Sequence, residues 1–272
     1  MILDVAATVL ANTRLSPDYN VIALAAPEIA SAAAPGHFVM VKPLAGLDPL
    51  LRRPFSIFEV VRSAGRITGL SLLNKRVGVG TSMLYEAVEG DRVQVLGPLG
   101  QPFVPIDPPA EAWMVAGGVG LAPFATLAEA LVARGTRMRL FYGARSASDL
   151  YYAGWFGERG AALDLTTEDG TRGERGRVTV PLARALADYS GDVTIYTCGP
   201  TPMMRAGAEL GAQHGRAVYA SLEPVMGCGM GGCYSCVVAV KRGGGSHLVR
   251  SCIEGPVFDT ERLVWDAMAA GH

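Results

Sequence analysis

Four of the five cysteines in this 272-residue chain, Cys228, Cys233, Cys236 and Cys252, fall within 25 residues in the spacing C-x4-C-x2-C-x15-C. Whatever else the chain does, its fold must bring these sulfurs to one place. The first two gaps reproduce the plant-type spacing of a [2Fe–2S] cluster, in which each iron takes two thiolates. A loop around such a core bends sharply while turning amide N–H groups towards the sulfides. Gly227, Gly229, Gly231 and Gly232 suit that task, because a residue without Cβ reaches positive φ freely. The alternative is structural zinc, but zinc knuckles use two short C-x2-C pairs and only Cys233 and Cys236 form one. Met226 and Met230 read as gap-filling packing residues. His37, His214, His247 and His272 show no metal-ligand spacing.

The remainder divides by rhythm. From residue 1 to about 107, short β-rich runs follow one another between turn residues, the signature of a small all-β barrel or sandwich. Residues 108–220 alternate apolar strands with helical stretches, which predicts a doubly wound parallel sheet. Residues 221–272 resemble neither part. They are rich in glycine and cysteine, with one hairpin across 236–252, and Asp259 ahead of an apolar pattern predicts a short capped helix. The expected fold is therefore a β-barrel, an α/β domain and a small C-terminal cluster-binding subdomain.

In the α/β part, Gly117, Gly118 and Gly120 follow an apolar strand and precede a helix, the setting of a glycine-rich phosphate loop. A helix N-terminus presents unpaired N–H groups and the positive end of a dipole to a pyrophosphate. Pro123 stands where the simple dinucleotide fingerprint has its third glycine, and suits the first turn of a helix. A tight turn with no ligand stays open from these residues alone. Cys198, Gly199 and Pro200 make a second such turn at the carboxyl end of a later strand, the edge where ligands of open parallel sheets collect. By itself Cys198 reads equally as a buried small side chain. Gly143, Ala144, Arg145 and Ser146 end another strand where an acid would hold an NAD ribose, so NAD(H) and NADP(H) both stay open.

Arg53-Pro54-Phe55-Ser56 and Gly80-Thr81 are weak motifs singly, but their order carries more. A barrel with R-P-F-S, then G-x-G-T, then G-G-V-G-L-A-P, then C-G-P resembles the ferredoxin–NADP reductase superfamily along essentially the whole chain. The resemblance implies that Arg53, Pro54, Phe55 and Ser56 lie along the isoalloxazine and diphosphate of FAD, with Ser56 near flavin N5. It implies that Leu73, Asn74 and Lys75 form the next flavin-contact strand, and that the amides of Gly80 and Thr81 hold the FAD phosphates. Asn74 departs from the pattern, standing where an aromatic residue is frequent. Gly118, Val119, Gly120, Leu121, Ala122 and Pro123 would take the nicotinamide nucleotide's phosphates, with Cys198 and Gly199 beside the nicotinamide and no residue assigned as acid or base. Glu223 stays open between a flavin-side carboxylate and an exposed loop acid.

Within that superfamily, the runs 221–238 and 251–265 are similar to the electron-transfer subunits of class 1B dihydroorotate dehydrogenases. This implies an FMN-containing catalytic partner that oxidises dihydroorotate to orotate, in a hetero-oligomer with two copies of each chain. A nicotinamide moves a hydride, two electrons at once, and a [2Fe–2S] cluster moves one, so a flavin is needed between them. The implied path runs from substrate to the partner's FMN, the cluster, FAD and NAD+. One rival reading is a small subunit of a ferredoxin-dependent NADP transhydrogenase or of a sulfur or hydrogen reductase. Another is a zinc-stabilised or redox-sensing binding module.

Composition narrows the classes further. Half the residues are hydrophobic and the net charge is -1, with no basic stripe to neutralise a phosphate backbone, so nucleic acid is not an expected partner. No run reaches the roughly 18 to 20 apolar residues of a spanning helix, and the first residues lack a cationic segment ahead of a long apolar one. The expected location is the cytoplasm, where thiols stay reduced. Trp113, Trp155 and Trp265 are expected in the core or at a subunit interface.

Overall fold

The computed structural model describes residues 1–43 and 49–268, which leaves His272 outside the described residues. Seven strands build the first sheet: β1 (Leu3–Arg14), β2 (Tyr19–Leu24), β3 (Phe38–Pro43), β4 (Arg53–Ser56), β5 (Glu59–Ser63), β6 (Arg66–Lys75) and β7 (Arg92–Leu99), with α1 (Pro27–Ser31) and α2 (Val79–Glu86) in the connections. Their order is β4-β3-β7-β1-β2-β6-β5. The apolar stretch 55–61 is divided between β4 and β5, and the bend between them closes the barrel. Ile57 N–H donates to His37 O on the β3 side, and Phe58 N–H donates to Ser71 O on β6. Closure leaves no open edge at this seam. Ile22, Leu24, Val39, Val41, Leu70, Leu72, Val93 and Val95 fill the barrel interior, and each is a branched or γ-branched residue suited to a pleated, half-buried surface.

The second sheet holds β8 (Glu111–Gly117), β9 (Met138–Ala144), β10 (Ala162–Thr167), β11 (Glu174–Arg175), β12 (Val193–Cys198) and β13 (Ala217–Ser221), all parallel, in the order β11-β10-β9-β8-β12-β13. Its helices are α3 (Pro123–Val132), α4 (Ala153–Glu158), α5 (Thr179–Asp188) and α6 (Thr201–Gln213). One face packs on Phe124, Leu127, Leu131 and Phe156, the other on Val178, Leu182 and Leu186. With both faces covered, Ala112 to Ala116 of β8 are fully buried, as an unbroken apolar run in a parallel sheet should be. Trp113 lies in this core, while Trp155 and Trp265 are half-buried.

After β13 the chain forms the cysteine loop, then the hairpin of β14 (Val237–Arg242) and β15 (Gly245–Arg250), then α7 (Ser251–Glu254). A three-residue strand, β16 (Val257–Asp259), then joins the second sheet antiparallel to β13. The sequence reading separates this C-terminal part from both others; the structure sews it to each. Gln101 N–H of the barrel donates to Gly255 O at 2.6 Å, and Tyr219 and Ala220 of β13 pair with Asp259 and Phe258. The predicted terminal helix is two single 3-10 turns instead. Asp259 caps the first by accepting Glu261 N–H, and no apolar stripe of helical length follows to extend it.

Candidate redox site

The strand order reverses between β8 and β12, because β9, β10 and β11 build outward from β8 while β13 builds outward from β12. At such a switch point the loops after the two strands part and leave a crevice for a ligand. Gly118 to Leu121 form a 3-10 turn that runs into α3 with Pro123 at its first position and no side-chain cap, so first-turn amides point into the crevice mouth. Gly118 sits at φ +54 with open space around it, and Gly199 at φ +143. A Cβ on Gly120 would lie 2.4 Å from Cys198 O, so the two loops meet backbone to backbone. Val119 is half-buried, whereas Leu121 and Ala122 belong to the core beneath the loop.

At the crevice floor the fully buried Cys198 thiol donates to Glu223 Oε1 at 3.7 Å. Burial pushes the thiol well above its ordinary pKa, and the Glu223 carboxylate adds to that shift. Burial also raises the carboxyl of Glu223, although the residue keeps solvent-exposed surface. Of the two readings of Glu223, its exposed surface fits the loop acid, and its carboxyl also accepts a contact from Cys198. That contact spans 25 residues of sequence, and no local pattern signals it.

The barrel presents a second ledge. Arg52 is spent on Asp4, with two hydrogen bonds of 3.0 and 2.7 Å, while among the described residues Arg53 donates only to the carbonyls of Leu51 and Arg52. The Arg53 side chain lies against Gly80, where a Cβ would be 3.5 Å from its Cγ. This sets the aliphatic stem of Arg53 beside the N-terminus of α2, whose first-turn amides at Gly80 and Thr81 lack intrahelical partners. Thr81 Oγ1 accepts from Val77 N–H and Gly78 N–H at 2.9 Å each and pins the turn. Pro54 pairs with Met40 and Ser56 with Phe38; Phe55 and Ser56 are half-buried.

Leu73 is buried, and Lys75 Nζ lies 5.2 Å from the Tyr19 ring centre. Asn74 is fully buried, and its amide donates to Asn20 Oδ1 at 2.7 Å and to Thr81 O at 3.0 Å. Its side chain is therefore a strut inside the barrel and offers no face for stacking. Asn20 continues to Asn12, which donates to the carbonyls of Leu84, Tyr85 and Ala87, so a ladder of amides fixes both ends of α2.

The cysteine loop packs on the barrel. Met226, Cys236 and Cys252 share an apolar cluster with Phe38, Met40, Leu96 and Leu99. Gly229 is at φ +72 and a Cβ there would lie 2.4 Å from Met40 Cγ, so the loop approaches β3 as closely as a backbone can. The sulfurs act in two pairs. Cys233 is pushed down to about 6, first by the Ser235 hydroxyl, with Cys228 among its partners; Cys252 is pushed up to about 12 by burial and then by Cys236. Backbone N–H groups already face sulfur, Met230 to Cys228 Sγ at 3.4 Å and Cys252 to Cys236 Sγ at 3.5 Å. Among the described residues no three ligating side chains converge on one point as a single metal ion requires. Two thiolate pairs on a glycine-lined loop with amides turned inward fit a two-iron core, which takes two thiolates at each iron. That donor set disfavours the zinc reading.

Two surface hollows of about 540 and 520 Å³ lie elsewhere, between α5 and α6 and at the amino ends of β9 and β10. The second is lined by groups already paired, Arg139 with Asp164 and Arg137 with Glu111.

Comparison with known proteins agrees with this geometry. Residues 223–264 match the iron-sulfur cluster binding domain of dihydroorotate dehydrogenase B, and residues 114–209 match the oxidoreductase NAD-binding domain. The chain is 37% identical over 260 residues to the electron transfer subunit of dihydroorotate dehydrogenase B (NAD(+)) of Desulforamulus reducens, covering 96% of this chain and 98% of that protein. It is 38% identical over 232 residues to the subunit of the same description in Geobacillus kaustophilus, with coverages of 85% and 86%. Among solved structures, an NADH-dependent reduced ferredoxin-NADP oxidoreductase studied for flavin-based electron bifurcation superposes with a TM-score of 0.83 at 27% identity, over 96% of this chain and 91% of that one. The ferredoxin reductase of carbazole 1,9a-dioxygenase shares the fold at a TM-score of 0.65 and 23% identity, over 79% and 67%. With its barrel, switch-point crevice and paired cysteines accounted for, the chain belongs to the family of dihydroorotate dehydrogenase B electron transfer subunits.

Proposed function

We propose that this chain passes electrons from a catalytic partner that oxidises dihydroorotate, through a [2Fe–2S] cluster and FAD, to NAD+. The observation that carries the proposal is the double duty of β3. Along its length Met40 pairs with Pro54 of the expected flavin strand, and the same Met40 lies against Gly229 of the cysteine loop. A one-electron centre and a flavin held there would be separated by little more than one strand. Bound FAD supplies the exchange between paired and single electrons that a nicotinamide and a cluster require of one another.

In this reading Arg53, Gly80 and Thr81 hold the diphosphate, Pro54 to Ser56 and Leu73 to Lys75 line the flavin, and only backbone contact falls to Asn74. Gly118 to Pro123 take the nicotinamide nucleotide's phosphates. Cys198, Gly199 and Glu223 bound the space where nicotinamide meets flavin, with the proton held between Cys198 and Glu223. Cys228 with Cys233, and Cys236 with Cys252, hold the irons. Residues 1–107, 108–220 and 221–272 serve as the FAD, nucleotide and cluster units.

NAD is favoured over NADP by the likeness to relatives described as NAD(+) electron transfer subunits. In this reading the partner carries FMN, the assembly holds two copies of each chain, and it works in the cytoplasm; the relatives' description as electron transfer subunits supports the existence of a catalytic partner. Among the described residues no helix is long and apolar enough to cross a membrane. The transhydrogenase reading shares the cofactors and differs in the partner.

Co-purification with a dihydroorotate-oxidising subunit tests the proposal. The complex should contain FMN, FAD, iron and sulfide and form NADH from NAD+ and dihydroorotate. A complex that instead reduces NADP+ only from ferredoxin would overturn it in favour of the rival.

A further inference from the structure

Tyr234 separates two cysteine ligands and has φ +57, in the left-handed region that strains a residue with a Cβ. Such strain persists only where surrounding structure holds it. Here the Arg250 guanidinium lies 5.0 Å from the Tyr234 ring centre while its Nη1 donates to Gly231 O at 2.8 Å, so one side chain clasps both arms of the loop. The reversed backbone at Tyr234 turns the next residue back on itself. Ser235 Oγ thereby comes to 3.2 Å from Cys233 Sγ, and it accepts Gly227 N–H at 2.8 Å.

Proton accounting then fixes the direction of the bond. A cysteine bound to iron is a thiolate and has no proton to give. Gly227 occupies one lone pair of the hydroxyl, so the O–H is left to donate, and the nearby acceptor is the Cys233 sulfur. We infer that Ser235 is a positioning residue for the redox chemistry, donating a hydrogen bond to the Cys233 thiolate that stabilises the reduced, more negative cluster. This inference rests on the cluster reading above and adds a device that sets the cluster's potential.

Hydrogen bonds to ligand sulfur raise a cluster's reduction potential because they offset the charge that the added electron brings. Cys233 is exposed, so water takes part of any vacated position and limits the change. The expected loss is about tenfold in the reduced-to-oxidised ratio at fixed ambient potential, equivalent to 59 mV for a one-electron couple.

The test uses the full chain as Ser235→Ala, Ser235→Thr and Ser235→Val, each titrated anaerobically with mediators while the reduced cluster is followed by electron paramagnetic resonance. Threonine and valine match in shape and differ in the hydroxyl, so that pair decides the matter even if the alanine variant fails to assemble. Ser235→Thr should keep the wild-type midpoint, with the alanine and valine variants about tenfold harder to reduce and all retaining iron, sulfide and FAD. Equal midpoints for the threonine and valine variants would overturn the role of Ser235 and leave the cluster reading intact. Wild-type protein without inorganic sulfide would overturn both.

Discussion

Placing a single methyl at residue 120 should separate the two loops of the nucleotide crevice. The Cβ of Gly120→Ala would sit 2.4 Å from Cys198 O and 2.7 Å from Gly199 Cα, and both neighbours are backbone that cannot rotate away. Ordinary contact needs about 1 Å more, so the loops must part by that amount. Overpacking of this kind costs about 1–3 kcal/mol, and in a chain of this size each 1 kcal/mol lowers Tm by about 2–4 °C. The functional cost matches the upper end of that range, because a misplacement of about 1 Å between reacting groups lowers a rate on the order of 100-fold, or about 2.7 kcal/mol.

The assay is anaerobic stopped-flow reduction of FAD by NADH across a concentration series, on protein whose flavin and iron contents match wild type. Gly120→Ala should show weaker NADH binding and slower flavin bleaching together. Gly118→Ala, two residues away, faces open space at φ +54 and should cost only about 1 kcal/mol of backbone strain with far smaller kinetic effects. A Gly120→Ala protein that binds NADH and bleaches at wild-type rates would refute the assignment of the crevice.

Arg53→Ala removes the cationic side chain whose stem lies against Gly80 of α2 and should weaken FAD retention about tenfold or more, read as flavin lost on dialysis, with the cluster unaffected. Gly229→Ala drives a Cβ onto Met40 at 2.4 Å and should lift the cysteine loop off the barrel, lowering iron and sulfide content while NADH still bleaches FAD. Glu59, on the barrel face turned to the nucleotide domain, has its pKa raised by burial first and by Glu129 second. The folded state thus binds its proton more tightly than the unfolded state. This contribution to stability is whole below the ordinary value of 4.5 and is lost as pH rises through the raised value. Urea midpoints measured from pH 4 to pH 8 should fall less steeply for Glu59→Gln than for wild type; parallel slopes would count against it.

What could be read from the chain in advance was whatever is written in local spacing. The cysteine gaps, the glycines around them and the change from β runs to strand–helix alternation are all periodic or short-range, and the two sheets follow that division. Contacts between distant segments were not legible. β16 is three residues long, too short to show a pattern, and it is a strand only because β13 offers an edge. The bend after Ser56 shows no break in apolar rhythm, because the residues that make it, Ile57 and Phe58, are themselves fully buried. Asn74 was read through its strand, but its partner Asn20 lies 54 residues away, and that distance decides that the amide points inward. Tyr152 is another case. It takes φ +57 to set its ring edge-on to Phe58 at 4.8 Å, joining the second sheet's domain to the barrel at the bend after β4, and nothing in its neighbourhood marks it.

Most direct is an anaerobic NADH titration of the purified chain, with flavin absorbance and the paramagnetic signal of the reduced cluster recorded on the same samples. The account predicts that the flavin bleaches, that the cluster signal grows with it, and that the endpoint is about 1.5 NADH per chain, two electrons for FAD and one for the cluster. Flavin that bleaches at about one NADH per chain while a bound cluster stays oxidised would contradict it.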